Sequence, residues 1–182
     1  MTRRASLAVL VLTVAMTTGV LQARSTTPGN VDVRTQIRHE LNGLPYSTIW
    51  DWIEAEARPD GSVVLRGEVI KPSTKDDAEF RVRRIETVQN VINEIHVLPL
   101  STFDNEIRMA AYRSLFNRNS SLAGYSLGAN PTIHIIVENG RVTLKGVVAN
   151  AMDRQIAGVA VNSVFGVMSV DNQLQLDSQQ AS

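Results

Sequence analysis

The sequence predicts an α+β fold of two tandem αββαβ units, each a three-stranded mixed sheet with two helices on one face. Three observations predict it. Asp60-Gly61-Ser62-Val63-Val64-Leu65-Arg66-Gly67-Glu68-Val69 returns, 79 residues on, as Asn139-Gly140-Arg141-Val142-Thr143-Leu144-Lys145-Gly146-Val147-Val148. At the same shift Val88, Val91, Asn93, Ile95 and Val97 fall on Val167, Val170, Asn172, Leu174 and Leu176. Apolar positions also change period along each copy, from helical to alternating and back. A register that holds without a gap means a duplicated folding unit.

Each element has its own signal. Val33, Ile37 and Leu41 lie on one helical face that Gly43 and Pro45 close, and Ile107, Ala111 and Leu115 repeat it at a shift of 74 residues. The second copy therefore carries five extra residues, within Phe116 to Leu127. Ile49 to Ala57 alternates as a first strand, with Ile53, Ala55 and Ala57 on one face and Trp52, Glu54 and Glu56 on the other. Asp60-Gly61 turns it into the strand Val63 to Ile70; Ile133 to Val137 and Val142 to Val148 repeat the hairpin around Asn139-Gly140. Gly67 and Gly146, inside strands, suggest a bulge or a helix passing close. A second helix is expected to be capped by Ser73 or Thr74 with Asp76 or Asp77, and in the second copy by Asn150 with Asp153. Ala78, Val82 and Ile85, then Ala157, Val161 and Val164, form its buried stripe. Val91 to Val97 and Val170 to Leu176 close the units as third strands. The expected organisation is a signal peptide over 1–23, a first domain over 32–98 and a second over 104–177. The short link Leu98 to Phe103 should keep the domains in contact.

The N-terminus reads as an export signal: Arg3-Arg4, an apolar Leu7 to Val14, and small residues up to a cleavage after Ala23. The apolar run is shorter than the ~20 residues that span a bilayer, and a retained anchor is the alternative. The expectation from these residues is export. Without residues 1–23 the chain carries 16 basic and 18 acidic groups, which argues against a nucleic-acid partner. The chain has no cysteine, so neither a disulfide nor a thiolate metal site can form.

The Asp-Gly-x-Val-x-Leu-x-Gly-x-Val hairpin, the capped helix and the closing strand with Val88, Val91, Asn93, Ile95 and Val97 together resemble the BON domain. Val164-Phe165-Gly166-Val167 is similar to the family's turn before its last strand, whereas the first unit has Thr87 at the glycine position. The resemblance covers nearly all of 32–177. It implies an exported, periplasmic bacterial protein associated with the membrane, phospholipid binding or attachment at a membrane face, and a role in envelope maintenance or stress. The family pattern contains no catalytic residues, so none is carried over.

The residues themselves offer no convergent chemistry, and no enzyme, cofactor or metal is expected. His39, His96 and His134 lack ligand spacing, and Asp76-Asp77 at a helix start reads as a cap. Two surfaces stand out for lipid or partner contact. Trp50 and Trp52 are two apart on a strand face expected to look outward, with the basic cluster Arg81, Arg83 and Arg84 as a phosphate-facing patch. Leu122, Tyr125 and Leu127, in the longer loop, would form an apolar tip if exposed. The bland readings are packing of the tryptophans against the second unit, arginines paired with Glu79 and Glu86, and a loop folded over its own core. The expected partner is an anionic phospholipid surface; the alternative is an envelope protein bound through a protein–protein or scaffolding face, with self-association as a further option.

Overall fold

The computed structural model describes residues 28–127 and 130–177, with side chains from Val33 onward. The signal-peptide reading of 1–23 lies outside these residues. The order is α1 (Pro28–Asn42), β1 (Trp52–Ala57), β2 (Ser62–Val69), α2 (Pro72–Arg83), β3 (Asn90–Asn93), β4 (His96–Val97), α3 (Thr102–Leu115), β5 (Ile133–Glu138), β6 (Arg141–Val148), α4 (Ala151–Asn162), β7 (Ser169–Asn172) and β8 (Gln175–Leu176). A 3-10 turn over Ala123–Ser126 lies between α3 and β5. The second half repeats the first.

In each unit the hairpin is antiparallel and the closing strand runs parallel to the hairpin's second strand. The closing strand comes in two pieces, β3 with β4 and β7 with β8, where one had been expected. The repeated asparagine makes the break. Asn93 Nδ2 donates to the Lys75 carbonyl at 3.1 Å while its Oδ1 accepts the Ile95 N–H at 3.2 Å. Asn172 does the same with Arg154 and Leu174, at 2.7 and 3.3 Å. The side chain thus ties the strand to the helix above it, and takes a backbone donor that the ladder would otherwise use.

Two separate cores form. Ile37, Val63, Leu65, Val69, Ala78, Val82 and Ile95 fill the first; Ala111, Val142, Leu144, Val148, Ala157, Val161 and Leu174 are their counterparts in the second. Ala55, expected inward, is exposed beside α1.

Three local expectations change. The first strand starts at Trp52, because Asp51 folds the preceding residues into a turn: its carboxylate accepts from Thr48 N and Oγ1, both at 2.8 Å, and from Ile70 N at 2.8 Å. Helix α2 starts at Pro72 with Lys71 as its cap residue and no side-chain cap; Pro at the first position needs no N–H partner. Asn150 and Asp153 do cap α4, Asp153 N donating to Asn150 Oδ1 at 2.8 Å. Gly67 and Gly146 are required by the adjacent strand rather than by a helix. At φ +126° and +118°, an added Cβ would lie 1.9 Å from the Trp52 carbonyl oxygen and 2.0 Å from that of Thr132.

The units meet through their sheets. Ile49 O of the first unit accepts the Ile135 N–H of the second at 2.9 Å; within the second unit, Arg108 Nη2 donates to the Val137 carbonyl at 2.6 Å. Together these cover part of the free edge of β5, an edge that would otherwise invite foreign strands. Burial draws the Arg108 guanidinium below its ordinary value, with Asp104 and Asp51 opposing. Val64 and Ile136 are buried although neither belongs to a core, and alternation puts both on sheet faces turned from the helices. Those faces are therefore covered in part, while Glu54, Glu56 and Arg66 on the first of them stay exposed.

Candidate interaction surface

The tryptophan face expected to look outward is the join. Trp50 packs at the rim of the second core, its ring 5.9 Å from that of Tyr112, and Trp52 meets the His134 ring edge-on at 5.1 Å. Lys145 Nζ stands 5.9 Å over the Trp52 ring and 3.9 Å from Glu54 Oε1. Trp52 Nε1 donates to Glu54 at 2.8 Å. Alternation within one unit could not reveal that a second sheet covers this face.

The long loop is not an apolar tip. Leu122 is fully buried in the second core because the 3-10 turn folds back over it. Tyr125 Oη donates to Asp153 Oδ2 at 2.6 Å and accepts the Ala149 N–H at 2.9 Å, which pins the loop to the start of α4. Partial burial, helped by the Asp153 hydrogen bond, raises the phenol's pKa. Leu127 alone of the three projects, at 74% exposure.

The basic cluster is divided. Arg81 reaches Glu40 at 3.4 Å, Arg83 pairs with Glu79, and Arg84 stacks its guanidinium 5.5 Å above the Phe80 ring. Arg83 and Arg84 remain solvated; neither they nor Arg81 lie beside the tryptophans as a common patch.

The apolar surface lies elsewhere, at one end of the second unit. Phe165 is 97% exposed and Met168 77%. They flank Gly166 in the loop from α4 to β7, whose φ is +88°. A Cβ on Gly166 would touch the half-exposed Phe103 ring at 3.2 Å, and one on Gly140 would meet the Met168 side chain at 3.0 Å. Phe103, Gly166, Met168 and the Asn139-Gly140 turn are therefore contiguous. Arg141, exposed, follows that turn. On α4, Met152, Ile156 and Val159 are exposed at i, i+4 and i+7.

The first unit is a control for this surface. Its corresponding loop reads Ile85-Glu86-Thr87-Val88-Gln89. The same backbone bonds close both loops: Val88 N to Ile85 O and Gln89 N to Gly61 O, then Val167 N to Val164 O and Met168 N to Gly140 O. Positions 152 and 156 correspond to Ser73 and Asp77. The fold thus tolerates polar residues where the second unit exposes phenylalanine and methionine. Comparing the two repeats for their differences, not only their matches, would have found these residues in the sequence.

Among the described residues no group of three or more His, Cys, Asp or Glu side chains could hold a metal ion, and no helix is long and apolar enough to cross a membrane. What the geometry defines is a class: a duplicated α+β module whose distinctive chemistry is on its surface. The BON domain profile matches residues 29–99 and 119–178, and the chain belongs to the BON domain family as a tandem member. The second match begins after α3. No curated protein matches the chain. Among solved structures, it is similar to CdsD, described as a structural protein of the type III secretion system of Chlamydia trachomatis: 13% identity, 82% of this chain and 95% of that one, TM-score 0.31. The C-terminal domain of CdsD aligns at 15% identity over 80% of this chain and 98% of that one, with TM-score 0.29.

Proposed function

We propose that this is a non-enzymatic, exported protein of the bacterial envelope that binds phospholipid surfaces peripherally, serving envelope maintenance or stress. The Phe165–Met168 loop is its insertion tip. The observation that carries the reading is the asymmetry between repeats: two loops with the same backbone bonds, one polar and one with Phe165 almost wholly exposed. Exposed apolar groups that folding does not need support a role in contact. Burying Phe165 and Met168 in the acyl boundary would contribute about 3–6 kcal/mol, enough for reversible attachment and too little for permanent insertion. Arg141 beside the tip, and Phe103 behind it, suit an interface with anionic headgroups.

The test is vesicle flotation with phosphatidylcholine alone and with added phosphatidylglycerol. Binding should rise with anionic content and fall with salt. The double variant Phe165→Glu, Met168→Gln, which gives the second loop the first unit's residues, should stay folded and stop floating. No association of the wild type with anionic vesicles at low salt would refute the proposal.

A second reading draws on the α4 stripe. Met152, Ile156 and Val159 have the spacing by which one helix seats on another, as in a scaffold contact with an envelope protein or a second copy. Lipid-independent dimerisation in sedimentation, abolished by Ile156→Asp, would favour it.

A further inference from the structure

We propose that the join between the two units is a pH-sensitive clamp that loosens when His134 takes up a proton. The inference is independent of lipid binding. His134 stands on β5, on the face turned away from its own helices, and its ring is seated against Trp52 of the other unit. Its Nδ1 is buried without a hydrogen-bond partner. The carbonyls of Asp51, Pro131 and Thr48 come near enough to favour a charged ring, but none closes a bond to Nδ1.

A neutral imidazole can leave one nitrogen bare as an acceptor, whereas the cation carries N–H on both. A buried N–H without an acceptor is costly, so the protonated ring must either draw in a carbonyl or leave. Leaving, or drawing in the Asp51 or Thr48 carbonyl, displaces the 48–52 segment, which touches β5 through Ile49 and Trp52.

The surrounding charges do not rescue the cation. Asp51, from the loop before β1, is buried and already accepts from Thr48 and Ile70. From β1, Glu54 is exposed and holds the Trp52 indole N–H. From β2, Glu68 is the register partner of Trp52, with one carboxylate oxygen buried and unpartnered. From β6, Lys145 is the register partner of His134 itself and repels a second cation. Arg108 of α3 is fixed on Val137, one strand edge away. Burial outweighs the carbonyls and Asp51, and the ring's pKa is lowered. The closed join is thus favoured while His134 is neutral. As pH falls through the ordinary value of about 6.5, the open form binds the proton first and gains population until the closed form's lower pKa is passed.

Aromatic packing carries most of the join, and its polar links are few. Among the described residues, one backbone hydrogen bond links the units, and the ion pairs Lys145–Glu54 and His96–Glu138 are both 3.9 Å long. The His96–Glu138 pair responds in the opposite sense, gaining attraction when His96 is protonated, but it is exposed and contributes little.

Both tryptophans of the protein lie at the join, so intrinsic emission reports it. The experiment follows tryptophan emission and far-UV circular dichroism of the full chain from about pH 7.5 to about pH 5. The expected result is a reversible red shift at constant dichroism, retained in His96→Gln and abolished in His134→Gln. Should His134→Gln not fold, the histidine ring signals of the wild type, followed by NMR, decide. A pH-independent emission, a shift that survives in His134→Gln or vanishes in His96→Gln, or a His134 ring titrating at or above about 6.5 would overturn the proposal.

Discussion

The ring of Trp50, carried by the first repeat, lies 5.9 Å from that of Tyr112 in α3 of the second. One repeat therefore completes the core rim of the other. Trp50→Ala should destabilise the second unit although it sits in the first. Full truncation of a buried aromatic costs about 3–5 kcal/mol, and a half-buried Trp50 belongs at the lower end. Urea unfolding, followed by amide signals of Leu144 and Val161, checks where the loss appears.

Gly67 and Gly146 define a second expectation. A methyl group at either meets a backbone carbonyl at 2.0 Å or less, and the neighbour cannot give way without breaking the hairpin. Gly146→Ala and Gly67→Ala should each cost more than about 4 kcal/mol, in the range reserved for named backbone clashes. Gly124→Ala, with nothing within 4 Å of the added atom, should stay within about 0.5 kcal/mol. Thermal unfolding of the three variants separates these outcomes.

Asp104 is a buried carboxylate with a structural task. It accepts the Asn139 N–H at 3.0 Å and the Gly140 N–H at 2.8 Å, and so fastens the start of α3 to the β5–β6 turn. Asp104→Ala leaves two donors unpaired and should cost about 2–4 kcal/mol. It should also loosen the Phe165–Met168 loop, because Met168 N bonds to Gly140 O. Hydrogen exchange at Gly140 and Met168 measures both effects.

Tyr125 gives a prediction at alkaline pH. Its folded-state pKa is raised, first by partial burial and then by the hydrogen bond to Asp153. The unfolded chain releases the proton first, near the ordinary value of about 10, so stability declines as pH rises from there toward the folded value. Ultraviolet titration should show a late tyrosine ionisation, and Tyr125→Phe should remove that step. An unchanged titration in the variant would place the late group elsewhere.

The particular elements show where sequence was legible. Asn93 and Asn172 were visible as a shared position, but their task, holding a helix carbonyl and breaking a strand, needs a helix lying above them. Leu122 was visible as an apolar loop residue; whether it faced solvent depended on a 3-10 turn with no sequence period to announce it. Phe165 stands in the turn that resembles the family's and Met168 follows it, but positions that differ between the repeats carry no shared period to announce their exposure.

The chain's own order of residues determined the duplication, the elements of each unit and the composition of both cores, because apolar period and glycine placement act within a few residues of each other. Tertiary structure alone decided which sheet face is solvent. Trp52 alternates with core residues as an outward face should, as the exposed Glu54 and Glu56 do, and is covered only because β5, about eighty residues away in sequence, lies against it. Contact between distant segments leaves no period in either segment, and so the join had to be seen in three dimensions.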